Sequence, residues 1–279
     1  MQAFVPYNPV MIELTRHVRF FLNGPDPRRE LEEQPRRING FSAWPAVRGL
    51  GRFYQLEVRC RGEVDPVTGY FVNIKEIDQA VRDHVLPFLE ATLDSTRPSA
   101  TLPVGQLMVK ILTLLQPPLK HAVDRVQLDL SPFHSLAIGR SDMSHVVIRQ
   151  QFEFAAAHRL HVNELSPDEN RKVFGKCNNP SGHGHNYKLE VAVRAPIDKD
   201  GHILLVEKLD ERVDQVVIQA LDHKHLNVDV PQFAQRNPSC ENIAMVVYDM
   251  LKPNLGDLGV ELEEVSVWET SKTACTYRG

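Results

Sequence analysis

An α+β fold, present as two tandem copies, is what this 279-residue sequence predicts, and two observations carry it. The chain repeats itself: Tyr54-Gln-Leu-Glu-Val-Arg-Cys-Arg61 matches Tyr187-Lys-Leu-Glu-Val-Ala-Val-Arg194 at five of eight positions. Internal self-similarity of this kind marks a duplicated supersecondary unit. The copies also order their patterns alike: strand, long loop, strand, two helices, then one or two strands. Strands with helices gathered between them predict an antiparallel sheet with its helices on one face.

In the first copy the repeated strand follows a Pro-, Gly- and Arg-rich loop, Asn23 to Gly51, expected to be a disordered insertion or a cover for a neighbouring site. Past the strand, Asp65 corresponds to Asp198, Gly69 to Gly201 and Asp78 to Asp210. Ile74, Ile77, Val81 and Phe88 then recur at helical spacing, as do Val206, Leu209, Val213 and Ala220 in the second copy. A second amphipathic helix is predicted over Val104 to Leu115 and over Glu241 to Leu251. Alternation closes each copy, at Val126-Gln-Leu-Asp-Leu130 and Val265-Ser-Val-Trp-Glu269. A connector over Ser131 to His145 divides the chain into domains 1–145 and 146–279.

Composition narrows the function. Hydrophobic residues at 42% and charged ones at 24% describe a soluble globular protein, and a net charge of -4 gives no reason to expect nucleic acid. Four scattered cysteines without a Cys-x-x-Cys fit a reducing compartment. The first ten residues show no secretory signal, and no apolar run approaches the roughly 20 residues needed to span a bilayer. A cytoplasmic protein is expected.

Seven of the twelve histidines lie between His158 and His225, in the second copy. His183 and His185 run into the alternating strand, where residues i and i+2 share a face, so both rings can reach one ion. Gly182 and Gly184 put no side chain in the way of a ligand approaching the backbone. His158 follows an apolar run, and Cys177 stands six residues before His183. Three neutral imidazoles with one open position make a catalytic rather than a structural zinc site. Each has a plainer reading alone: His158 as an ordinary core-edge histidine, Cys177 as a small buried hydrophobe. Asp222-His223 is equally a helix C-terminus bearing a favourable cation, and Ser239 an ordinary N-cap, with Glu241 undecided. Glu269, ending a strand, could face solvent or grip the guanidine-like edge of a heterocycle. In the first copy Leu50 and Arg52 replace His183 and His185, Glu90 and Ala91 replace Asp222 and His223, and Leu130 replaces Glu269. That copy keeps the scaffold and lacks the metal ligands.

Phe154-Ala-Ala-Ala-His158, the Cys177 to His-Gly-His185 block, Leu221-Asp-His-Lys-His-Leu-Asn227, Glu241-Asn242 and Trp268-Glu-Thr270 resemble the signature set of the 6-pyruvoyl-tetrahydropterin synthase family. The resemblance covers roughly residues 147 to 279; the first half is similar only as a degenerate copy. It implies two tunnelling folds, each a four-stranded antiparallel sheet backed by two helices, assembled into a homo-oligomeric barrel with sites between subunits. It implies Zn2+ on His158, His183 and His185, Cys177 as general base, and Asp222 with His223 as a proton relay. Glu269 would anchor the pterin, and the family's Thr-Thr-Glu-Asn segment is Ser239-Cys-Glu-Asn242 here, with altered hydroxyl contacts. The implied reaction converts a pterin triphosphate, 7,8-dihydroneopterin triphosphate, to 6-pyruvoyltetrahydropterin. Five residues separate Cys177 from His183, as in pyruvoyl-forming members; the sibling 6-carboxytetrahydropterin synthases have three. Two other expectations compete. One is a non-catalytic scaffold whose zinc is closed off by the three histidines and a cysteine; the other is a thiol redox protein.

Overall fold

The structure is a computed structural model that describes residues 11–24, 41–93 and 102–279. Residues 25–40 of the loop expected over Asn23 to Gly51, and the first ten residues read for a signal, lie outside the described residues. The chain divides into two compact units: residues 1–146 with 197–203, and residues 147–196 with 204–279.

In the first unit β1 (Met11–Leu22), β2 (Arg52–Glu63), β3 (Val123–Ser131) and β4 (His134–Gly139) lie in that order, each antiparallel to the next. One sheet face is apolar: Val18, Phe20, Leu56, Val58, Val126 and Leu128 are buried at alternate positions. The helical segments α1 (Ile74–Ala80), α2 (Leu86–Thr92) and α3 (Val104–Leu115) add Ile77, Leu89, Met108, Ile111, Leu112 and Leu115 to the core. A π-helical turn, Val81–Val85, joins α1 to α2. Polar side chains occupy the other face, where Glu57 pairs with His17 and Arg59, and Gln55 with Asp129.

The second unit repeats the plan. Its sheet runs β5 (Asp142–His158), β6 (His183–Pro196), β8 (Glu261–Thr270) and β9 (Thr273–Tyr277). The short β7 (Lys224–His225) lies parallel to β5. A helix α4 (Pro167–Phe174), started by a Ser166–Glu169 capping box, fills the loop between β5 and β6. Next come α5 (Val206–Val213), a π-helical turn at Asp214–Ile218 and α6 (Gln219–Leu221), then α7 (Leu226–Asp229) and α8 (Cys240–Leu251).

The correspondence reaches small details. Register slips between Arg59 and Cys60 in one unit and between Ala192 and Val193 in the other. A second bulge falls between Asp129 and Ser131, and between Trp268 and Thr270. Gly69 and Gly201 both take positive φ, at 72° and 89°, in turns organised by Asp65 and Asp198.

One expectation fails. Ser131 to His145 is not a connector, because β4 and the start of β5 fill most of it. Leu136, Ala137 and Ile138 are buried in succession, so the segment lacks the alternation by which a strand with one wet face is read. Among the described residues no helix is long and apolar enough to cross a membrane.

Candidate metal centre

Strand alternation brings the candidate donors to one face. On β5 the residues Phe154, Ala156 and His158 are buried in turn. On β6 His183 and His185 precede Tyr187, Leu189 and Val191 on the same face. Leu189 sits opposite Val267 of β8, so the next residue of that parity on β8 is Glu269. It lies where the β8–β9 register slips, between Trp268 and Thr270. His158, His183, His185 and Glu269 thereby converge, each offering one ligand atom, with all four atoms within 4.8 Å of one another. Among the described residues this is the group suited to a metal ion.

The hydrogen bonding tests whether a metal fits. His158 is fully buried, and its Nδ1 lies 2.7 Å from the Pro238 carbonyl oxygen. A carbonyl only accepts, so that nitrogen carries the proton and Nε2 of the neutral ring is left with a lone pair. His183 Nε2 is 3.1 Å from His158 Nε2, and His185 Nε2 is 3.0 Å from a Glu269 carboxylate oxygen. The second separation is short enough for a hydrogen bond, yet His185 Nε2 is buried without one. Ligand atoms around a four-coordinate zinc with bonds of ~2.0–2.1 Å stand roughly 3.3 Å apart, and these separations agree. Burial holds His158 below the ordinary imidazole range, with its histidine neighbours adding to the effect. Burial and His185 do the same for His183. Neutral imidazoles are the form a cation binds. The residues fit a metal ion.

Cys177 lies outside the donor group. It sits half-buried on the 3-10 turn Gly175–Asn178, and its carbonyl accepts from the Leu160 N–H at 2.8 Å. The fourth member of the group is the Glu269 carboxylate, not the thiol that a closed site of one cysteine and three histidines requires. Burial, then the charge of Glu269, raises the thiol's pKa.

Asp222 and His223 are hydrogen-bonded, Oδ2 to Nδ1, at 2.7 Å. Sequence neighbours in a regular element point apart, but α6 ends at Leu221 and His223 adopts φ 55°, which turns its ring back. Two bonds clamp the pair to β5: the Ala155 N–H donates to Asp222 Oδ1 at 2.8 Å, and the His223 N–H donates to the Ala155 carbonyl at 2.6 Å. The Ala155 bond, followed by that to His223, holds the Asp222 carboxyl below the usual range. The His223 side chain is 83% exposed. Ala155 is three residues from His158, about 10 Å along a strand at ~3.3 Å per residue.

Ser239 caps α8, its side chain accepting from the Asn242 N–H. Glu241 lies exposed in the first turn, its carboxyl lowered by its own N–H and by Ser239. Neither touches the donor group by a hydrogen bond or ion pair among those described. Gly182 serves a different end from the one expected of it. A side chain on Gly182, at φ 71°, would meet His225 Nε2 at 2.8 Å and the His158 carbonyl oxygen at 2.9 Å, so its bareness makes room for protein rather than ligand.

Sequence reading missed the supports. Besides Pro238, Asn227 brackets Arg159, accepting from its N–H at 2.8 Å and donating to its carbonyl at 3.0 Å. Asn178 donates to the Leu160 carbonyl at 2.7 Å. Both asparagines stand inside the quoted motifs, where a short amide able to satisfy backbone groups was the available signal.

The family model described as 6-pyruvoyl tetrahydropterin synthase matches residues 147–279. A 6-pyruvoyl tetrahydrobiopterin synthase of Drosophila melanogaster is 45% identical over 127 residues, covering 45% of this chain and 75% of that protein. One from Homo sapiens is 42% identical over 133 residues, covering 47% of this chain and 90% of its own length. The solved 6-pyruvoyl tetrahydropterin synthase of Caenorhabditis elegans is 37% identical, covering 48% of this chain and 96% of its own, with a TM-score of 0.46.

Proposed function

The chain belongs, through residues 147–279, to the 6-pyruvoyl tetrahydropterin synthase family, and from that premise we propose that it is a zinc-dependent lyase forming 6-pyruvoyltetrahydropterin from 7,8-dihydroneopterin triphosphate. The observation that carries this reading is the convergence of His158, His183 and His185 on one small volume inside the matched segment. Zinc bound there supplies Lewis-acid polarisation of the substrate's side-chain oxygens.

The chain's own residues divide the remaining work. Cys177 takes a proton from the carbon side chain. Its raised pKa favours the thiol, and a cation held by the three imidazoles offsets that shift. The negative charge left on the substrate expels triphosphate, and tautomerisation completes the change. Asp222 fixes the proton on Nδ1 of His223, so that Nε2 carries the second proton transfer. Glu269 accepts from the amino and ring N–H groups of the pterin through charge-assisted bonds. Ser239 and Glu241 are assigned to substrate binding beside Glu269.

Residues 1–145 are a degenerate copy of domain 146–279, a reading supported by the matching bulges, π turns and glycine turns. The working form is a homo-oligomer whose sites lie between subunits. The exposure of His223, the proposed proton carrier, supports this, because a partner would have to cover it. A cytoplasmic location accords with the free thiols of all four cysteines.

Product analysis after incubating the zinc-loaded protein with 7,8-dihydroneopterin triphosphate is the test. The expected products are 6-pyruvoyltetrahydropterin and triphosphate. Acetaldehyde with a carboxypterin would assign the chain to the sibling reaction instead. A protein that binds zinc and turns nothing over would be the non-catalytic scaffold.

A further inference from the structure

We propose that Glu269 is a fourth protein donor to the metal while no substrate is bound, so that its carboxylate must leave for substrate to enter. The inference rests on the zinc reading above and adds a resting state to it.

Three observations point there. The first is position: a Glu269 oxygen lies 3.0 Å from His185 Nε2 and 3.9 Å from His158 Nε2. The second is direction. At 3.0 Å the carboxylate and His185 Nε2 are near enough to hydrogen-bond, yet that buried nitrogen has no hydrogen-bond partner, and both atoms belong to the group gathered within 4.8 Å. An acceptor oxygen and a lone-pair nitrogen aimed at one volume are reconciled by a cation between them. The third is the backbone. The bulge between Trp268 and Thr270 breaks the register at Glu269, whereas at the corresponding bulge of the first unit the residue is Leu130, exposed and without donor atoms.

With the carboxylate on the metal, substrate oxygens cannot occupy that position. A pterin offering N–H donors gives Glu269 an alternative partner as the substrate side chain approaches. Release of the carboxylate from the metal is then coupled to capture of the ring.

The test compares wild type with Glu269→Gln and Glu269→Asp in zinc affinity, by chelator competition, and in solvent-proton relaxation by the cobalt-loaded proteins. Circular dichroism reports whether each folds. Glu269→Gln is expected to weaken zinc binding about tenfold or more, since losing even a partner that supports a ligand costs roughly 10–100-fold. It should also admit metal-bound water that wild type excludes. Glu269→Asp, which keeps the charge on a shorter arm, should fall between. Wild-type affinity and unchanged relaxation in both variants would overturn the inference while leaving the three-histidine site intact. Absence of stoichiometric metal in wild type would overturn the zinc reading itself. Should Glu269→Gln not fold, Glu269→Asp decides alone by the same two readouts.

Discussion

His223 offers a way to separate the backbone's contribution from that of the side chain. Its φ of 55° lies in the left-handed region, where a residue with a Cβ is strained by about 1–2 kcal/mol. Glycine escapes that strain but gives up about 0.5–1 kcal/mol more backbone entropy on folding than alanine does. Replacing His223 by Gly or by Ala removes the imidazole and its bond to Asp222 alike, so those losses cancel between the variants. The Gly variant should therefore be more stable than the Ala variant by about 0.75 kcal/mol, the difference between the mid-values of the two effects. Urea unfolding followed by circular dichroism would show this as a higher midpoint at equal slope. Both variants should lose roughly 10²–10⁴-fold in turnover, the range of a missing acid–base group. An Ala variant as stable as the Gly variant would refute the strain argument. Turnover within about threefold of wild type in both, far short of that range, would refute the role given to the imidazole.

Other expectations follow from the same geometry. Cys177→Ala should retain its zinc, because the thiol is outside the donor group, and lose turnover; loss of metal in that variant would make the thiol a ligand. Gly182→Ala should be destabilised by about 1–3 kcal/mol from φ strain and contact with the His158 carbonyl, with weakened zinc binding; a wild-type melting curve would contradict it. Arg149 lies against Glu264 and near Glu190 and Glu263, with its side chain 15% exposed. Arg149→Met should cost about 3 kcal/mol, the low end for a broken buried pair, since Arg278 still reaches Glu264. Burial alone would raise the Glu264 carboxyl, but the bond and charge of Arg149, then Arg278, bring it below the usual range. Its folded pKa is depressed, so its stabilisation is present above the unfolded pKa of about 4.3 and is lost as pH falls through the folded value. Glu264→Gln should flatten stability against pH on that acid side and nowhere else, as measured by unfolding midpoints from roughly pH 3 to pH 7.

Much of the site was legible because it rests on period-two alternation. His183 and His185 share a face by spacing alone, and the sequence repeat aligns Glu269 with Leu130. What sequence could not supply depends on departures from regularity. Glu269 shares the parity of Val267, but its carboxylate meets imidazoles from two other strands, a convergence of segments far apart in the chain that sequence does not display. Only the positive φ of His223 lets adjacent residues 222 and 223 face each other. The Pro238 carbonyl, which fixes the tautomer of His158 from 80 residues away, is a backbone atom and carries no side-chain signature. Residues 134–139 hid as a connector because the strand they form is buried at consecutive positions.

Metal content, measured per chain on protein stripped and reloaded with zinc, bears most directly on whether these imidazoles form one site. One equivalent in wild type, falling to a small fraction in each of His158→Ala, His183→Ala and His185→Ala with the fold intact by circular dichroism, is the result expected. Full zinc retained in any of the three folded variants would contradict it.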